Sequence, residues 1–232
     1  MTHPTTRIGA RTPTHRHSVT PILILLLSTL LLSGLLQAQG LLPSTEKEKT
    51  EAPAQPKPEY VLINQQVSSS LLVTDSEGKL RPLMSYKVPL EQLVIQFLSA
   101  RCPYNKAAWH DLKVFYEAYQ GWHVSFLAIS ANKDETAEEL NQALQKAGLP
   151  YPVVRDENQV VARRLHAVAT PEIIILDEDG LLRYRGPLHD AMQTPGKKPH
   201  TQFAREAMDA VIGHVESVPN PEPGAFIGCS IH

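Results

Sequence analysis

The sequence predicts an α/β fold: a mixed central sheet with helices on both of its faces. Two patterns carry that expectation. Short apolar runs of strand length alternate with segments whose apolar residues recur every three or four positions, as strands separated by helices do. One run near the C-terminal end is joined to the next by a tight turn, so those two pair antiparallel and the sheet is not wholly parallel. Hydrophobic residues make up 42% of the 232, enough for a packed core and too many for wholesale disorder.

The elements follow in order. Leu71 to Thr74 and Lys79 to Leu83, around Glu77-Gly78, form an N-terminal hairpin extension. Leu93 to Leu98 is a short apolar strand. Asn105 to Tyr119 is a helix, with Trp109, Leu112, Tyr116 and Tyr119 recurring at spacings of three and four. Trp122 to Ile129 is the next strand, and Asp134 to Ala147 a helix stopped by Gly148 and Pro150. Asn158 to His166 is a shorter helix. Glu172 to Asp177 and Leu181 to Arg185 pair across Glu178-Asp179-Gly180, and Thr201 to Val215 is the last helix. These elements form one domain, residues 60–216.

Segments of other character flank it. Residues 1–18 carry Arg7, Arg11 and Arg16 and no acidic residue; Ile22 to Leu36 is almost wholly apolar, and Gln37-Ala38 follows. A basic start, an apolar run of about fifteen and a small residue make residues 1–40 a secretory signal. The run falls short of the roughly 20 residues of a membrane span, and an uncleaved tether through residues 22–36 is the other reading. Residues 41–59 are a linker, broken by Pro43, Pro53, Pro56 and Pro58. Residues 217–232 are a second Pro-rich stretch, a tail that carries Cys229.

Charge excludes a further class. The whole chain has 22 Lys plus Arg against 24 Asp plus Glu, a formal charge of -2. The leader holds three of the basic residues and no acidic one, which leaves 19 against 24 beyond residue 40, a charge of -5. An acidic exported domain has no nucleic-acid role. Export, to a periplasmic or extracellular space, also means a compartment in which two thiols persist as a disulfide. The chain has two cysteines in all, too few for a disulfide scaffold or a four-thiolate zinc site. Its histidines show no zinc spacing, and no metal or organic cofactor is expected.

Cys102 stands between the central strand and the Asn105 helix, with Pro103 in the helix's first turn, where a missing N–H costs nothing. Free N–H groups and the helix dipole favour an anion there, which shifts a thiol toward thiolate. Arg101 pushes the same way, and Ser99 brings a hydroxyl near the sulfur. The plainer alternative is a small buried residue that ends the strand.

Phe97-Leu-Ser-Ala-Arg-Cys-Pro-Tyr-Asn105 resembles the active-site turn of thioredoxin-fold redoxins. It is similar in particular to the alkyl hydroperoxide reductase and thiol-specific antioxidant (peroxiredoxin-like) group and its exported thioredoxin-like relatives. Ala169-Thr170-Pro171 before the Glu172 strand is similar to that fold's cis-proline segment, and Tyr184-Arg-Gly with Asp190 beyond it matches a third region. The resemblance spans roughly residues 65–216, and the ending Gly-Cys-Ser-Ile resembles some exported members. It implies a thioredoxin-like three-layer α/β/α sandwich, with Pro171 cis beside the active cysteine. Pro103, Thr170 and Pro171 would then shape the groove in which a partner's extended backbone docks.

The chain departs from the pattern in two places. Thioredoxins carry a second cysteine three positions on, where this chain has Asn105. Peroxiredoxins carry Pro, three residues, Thr, two residues, Cys; Ser99 stands for the Thr, but Ile95 occupies the Pro position. Their arginine is matched by Arg185 or Arg164 and by neither uniquely. Copper-delivery relatives use two cysteines separated by three residues, and the first is missing here.

Cys229 can supply the second thiol. The last helix leads away from the active-site end for roughly 24 Å, and the twelve residues from Ser217 to Cys229 reach about 40 Å when extended. Three readings stay open at this point: a resolving thiol for Cys102, a structural disulfide, or a cysteine unpaired or paired between chains. The expected function is thiol–disulfide exchange or peroxide reduction through Cys102, an oxidoreductase or antioxidant activity, with Cys229 and Ser99 in the catalytic set. Its partners would be a disulfide-bearing protein or a peroxide and an external thiol reductant. The rival is a redoxin-fold binding module that has lost turnover, or a membrane-tethered partner of a redox complex.

Overall fold

The computed structural model describes residues 59–192, 194, 196–222 and 228–232. The expected leader, and the expected linker apart from Glu59, lie outside them. Among the described residues, no helix is long and apolar enough to cross a membrane.

A seven-stranded sheet forms the middle layer. Its strands are β1 (Leu72–Thr74), β2 (Leu80–Pro82), β3 (Gln92–Phe97), β4 (Val124–Ser130), β5 (Val153–Arg155), β7 (Glu172–Leu176) and β8 (Leu182–Gly186), in the order β2-β1-β5-β4-β3-β7-β8. Strands β3, β4 and β5 run parallel, while β7, β8 and the β1–β2 hairpin pair antiparallel, so the sheet is mixed. β3 lies in the interior of the sheet between β4 and β7 and is buried along its whole length, which is why it reads as a mostly apolar run, with Gln96 inside it, instead of an alternation.

Each face of the sheet covers its own core. Val94, Leu98, Ile173, Ile175 and Tyr184 pack under α1 (Pro103–Tyr119), α2 (Ala137–Ala147) and α4 (Phe203–Ile212). Leu93, Ile95, Phe97, Ile174 and Leu176 pack under α3 (Val160–Leu165), with the hairpin and a 3-10 turn at Leu83–Tyr86 beside it. The outcome is the three-layer thioredoxin-like sandwich, with the hairpin added as one edge of the sheet.

Three local features differ from the pattern in the sequence. The buried stripe of α1 is Asn105, Ala108, Leu112, Phe115 and Tyr119; Trp109 and Tyr116 lie on its flank, half-buried. α2 starts at Ala137, because Thr136 and Glu139 form a reciprocal capping box that fixes its first turn there. Asp134 and Glu135 are thereby left in the β4–α2 loop. β5 is a three-residue strand just after Pro152, too short and too close to proline to show as a periodic segment.

Two further strands stand apart from the main sheet. β6 (Ala169–Thr170) pairs antiparallel with β9 (Cys229–Ser230), in the register Ala169↔Ser230 and Thr170↔Cys229. The tail's course back toward β6 begins along β8. Arg183 donates to the backbone oxygens of Val215 and Glu216 at 2.9 Å each. The Asn220 side chain accepts from Arg185 N–H at 3.1 Å and donates to Arg183 O at 2.9 Å, so one amide stands in for a strand on this edge.

Candidate functional site

The site is built where three chain segments end together: the start of α1, the β6–β7 corner and the tail. Cys102 is the N-cap of α1, with an extended backbone at φ -70° and ψ 123° and Pro103 at the next position. It is buried, at 3% exposure. Thr170–Pro171 is a cis peptide bond, and Thr170 O lies 3.4 Å from Cys102 Sγ. Cys229 is joined to Cys102 by a disulfide, with the two Cα atoms 5.9 Å apart and a sequence separation of 127. The candidate residues Cys102, Cys229, Ser99, Pro103, Thr170 and Pro171 therefore fall in one place, and the readings in which Cys229 is unpaired or paired between chains do not describe this structure.

Ser99 acts on the backbone of the turn. Its Oγ accepts from the N–H groups of Arg101 and Cys102, each at 3.2 Å, which fixes the bend leading into the helix. The hydroxyl proton is directed to Glu135, whose other oxygen accepts Ala100 N–H at 2.9 Å. Glu135 is 1% exposed, so this loop carboxylate is an internal brace for the cysteine turn. The same loop holds the tail: Lys133 N–H donates to His232 O at 3.1 Å, and His232 N–H donates to Asn132 Oδ1 at 3.4 Å. Nothing in the sequence pointed to this loop except the capping-box spacing Thr136 to Glu139, which excludes Glu135 from the helix.

Arg101 does not act as the sequence suggested. Its guanidinium turns away to α2, at 2.7 Å from Glu139 and 3.5 Å from Asp134. The Thr136 backbone N–H first, and Arg101 second, hold the Glu139 carboxyl down at about 2. The positive charge nearest in sequence to Cys102 is thus paired with carboxylates, and the helix start is left as the main source of positive potential at the sulfur. Arg164 and Arg185 are committed elsewhere as well. Arg164 donates to Glu59 O at 2.7 Å, and Arg185 donates to Val61 O at 3.3 Å and Leu165 O at 3.2 Å.

Two buried polar groups complete the site. Asn105, where a thioredoxin has its second cysteine, is fully buried, and among the described residues neither its Oδ1 nor its Nδ2 has a hydrogen-bond partner. Glu172, which follows the cis-proline, is 1% exposed and accepts from Val168 N–H at 2.9 Å and Ala169 N–H at 3.3 Å. Burial raises its carboxyl from 4.5 to about 7, against the opposing pull of those two N–H groups and of Arg185. Its two hydrogen bonds shape the strand to which the tail pairs. A Glu inside the run Glu-Ile-Ile-Ile-Leu was readable only as a strand boundary.

No curated protein matches the chain. Among solved structures, a hypothetical protein from Sinorhizobium meliloti 1021 is similar at 27% identity and a TM-score of 0.61, over 74% of this chain and 94% of the other. An uncharacterized conserved protein from Geobacillus kaustophilus is similar at 28% and 0.61, over 73% and 91%. The thioredoxin domain of a thiol-disulfide oxidoreductase from Bacteroides vulgatus is more distant, at 18% and 0.44 over 53% and 86%, and bears no weight on the chemistry here. Residues 64–185, more than half the chain, match the family model described as AhpC/TSA family. With a cysteine capping the helix after the central strand and a cis-proline beside it, the chain belongs to the AhpC/TSA family.

Proposed function

We propose that this protein is a two-cysteine thiol–disulfide oxidoreductase, with Cys102 as the attacking thiol and Cys229 as the thiol that closes the cycle. One observation carries the reading: the helix-start cysteine is already bonded to the tail cysteine, beside the cis-proline. In the reduced protein the Cys102 thiolate, favoured by the start of α1, attacks one sulfur of a substrate disulfide. A mixed disulfide forms and the other substrate sulfur leaves as a thiolate. The Cys229 thiolate then attacks the Cys102 sulfur and expels the remaining substrate thiolate, leaving the Cys102–Cys229 disulfide. The substrate has gained two electrons and the protein has lost two; an external thiol reductant restores the pair.

Peroxide reduction would end in the same disulfide by way of a Cys102 sulfenic acid. We rank it second, because Ile95 replaces the motif proline and both candidate arginines donate to backbone oxygens away from the sulfur. An exported setting suits the reading: residues 1–40 read as a leader, and an oxidising space makes the redox state of the pair consequential.

The test is Cys102 alkylation against pH in the Cys229→Ser variant, alongside turnover of a small disulfide by variant and wild type. We expect a thiol pKa well below the ordinary 8.5 and a variant that stalls at the mixed disulfide. An ordinary or raised thiol pKa, with no consumption of disulfide, would instead make this a binding module. Undiminished turnover in the variant would remove Cys229 from the cycle.

A further inference from the structure

The tail is held in a way that a mere tether for Cys229 would not need. Its last residues form a strand on β6, and its backbone carries the contacts: Ile231 N–H donates to Val168 O at 3.1 Å, and His232 is bound through both its N–H and its C=O. Side chains matter at three positions. A Cβ built on Gly228 would lie 2.5 Å from Thr170 O and 3.0 Å from Thr170 C, both backbone atoms of β6, so only glycine fits before the cysteine. Cys229 reaches Cys102. Ser230 is exposed and free to vary, and Ile231 packs, partly buried, against the core on the α3 face. Backbone pairing that gives affinity, with side-chain sites at fixed offsets that give selection, is how a sheet edge receives an extended peptide.

We propose that Gly228–Ile231 sits in the substrate's place and is its imprint: the substrate is an extended polypeptide segment that reads glycine, cysteine, any residue, aliphatic residue, its cysteine held in a disulfide. The proposal rests on the exchange reading and adds to it which disulfides are taken. With the pair reduced, no covalent bond retains the tail; once its backbone hydrogen bonds release, the edge at Val168–Thr170 is open for a second strand. A substrate strand pairs there in the tail's register, which sets its cysteine sulfur opposite Cys102. Cys102 attacks that sulfur, and the substrate's other sulfur departs as a thiolate. The returning tail then takes back the edge while Cys229 takes over the bond to Cys102, so release of the reduced substrate and re-docking of the tail are one exchange of strands.

The experiment uses the full-length Cys229→Ser chain and three short peptides, each capped at its cysteine as a mixed disulfide with nitrothiobenzoate. Their central residues are Gly-Cys-Ser-Ile, Ala-Cys-Ser-Ile and Gly-Cys-Ser-Asp. Attack of Cys102 on the peptide sulfur releases the coloured nitrothiobenzoate thiolate, which gives the rate. The symmetric nitrothiobenzoate disulfide, which has no peptide, reports the bare reactivity of Cys102. The reduced wild-type chain run in parallel reads the same ratios with the natural tail present. We expect the first peptide to react faster than either of the others by about tenfold or more, the scale on which one forced contact in a packed site is felt. Equal rates for all three, with the small disulfide still reacting, would overturn the imprint and leave the exchange reading standing. Failure of Cys102 to react with the small disulfide as well would overturn both.

Discussion

Gly228→Ala is the sharpest probe of how the tail is held. The added methyl would meet Thr170 O at 2.5 Å, Thr170 C at 3.0 Å and the Ala169 side chain at 3.2 Å. Two of these are backbone atoms of a strand held by Glu172 through the N–H groups of Val168 and Ala169, so the tail must shift instead. Forcing a methyl into a packed contact costs about 1–3 kcal/mol. The cost falls on the oxidised form, where the tail is docked, and is absent once the tail is free. For a two-electron couple, about 30 mV corresponds to about 1.4 kcal/mol, so the disulfide should become easier to reduce by about 20–65 mV, with its equilibrium constant lowered about 5- to 150-fold. Titration in dithiol redox buffers, with thiols trapped by alkylation and counted by mass, gives the midpoint. Ser230→Ala, at an exposed position, is the control and should leave it in place. A Gly228→Ala midpoint within about 5 mV of wild type would refute the close approach of Gly228 to β6.

Two other perturbations follow from the buried polar groups. Glu172 is raised to about 7, so between its ordinary 4.5 and about 7 the folded protein keeps a proton that the unfolded chain has lost. Stability conferred by that proton is complete below about 4.5 and is lost as pH rises through about 7, a fall of about 3 kcal/mol. Urea unfolding across this range should show the fall in wild type and a clearly flatter profile in Glu172→Gln; parallel profiles would show that Glu172 does not titrate in this window. Among the described residues Asn105 has no partner for either of its polar atoms, so Asn105→Cys gives up no hydrogen bond seen there and sets a thiol one helical turn from Cys102. Combined with Cys229→Ser, it should restore disulfide turnover through a bond between Cys102 and the introduced thiol. Failure to find that bond by mass spectrometry of the oxidised double variant would show that the first turn cannot close it.

The architecture was readable from residues because its signals are local. Leu93 to Leu98 is buried on both faces and reads as an apolar run, the turn at Glu178-Asp179-Gly180 announces a hairpin, and Cys102 with Pro103 marks a helix start. The errors were local too. The spacing of Trp109, Leu112, Tyr116 and Tyr119 marks the helix, but only Leu112 and Tyr119 of these are buried; Trp109 and Tyr116 sit at its flank, and Ala108 and Phe115 fill the interior. What the sequence did not disclose depends on distant partners. Glu135 braces a turn 36 positions away, Glu172 is buried by the corner it helps to form, and the Thr170↔Cys229 pairing joins segments 59 positions apart through a strand of two residues. No periodicity marks a two-residue strand, so only the reach of the tail hinted at it.

Moving the second thiol from helix to tail changes what sets the redox balance. A cysteine at position 105 would close its ring within one turn, and its bond would depend on that turn alone. Cys229 closes a loop spanning 127 positions, for which the chain-entropy account gives a stabilisation of up to about 5 kcal/mol relative to an unfolded chain. By linkage, the folded domain favours the bond by the same amount, about 100 mV for a two-electron couple. The folded domain holds the tail in register through Val168 O, Asn132, Lys133 and the Gly228 approach. Whatever competes for that strand therefore competes with the disulfide itself. An extended substrate on β6 would weaken the internal bond as it binds, and a tail that binds better would make a poorer oxidant of the protein. The contacts that recognise the tail and the potential of the cysteine pair are thus one quantity, and a substitution that disturbs the close approach of the tail to β6, as Gly228→Ala does, should move both together.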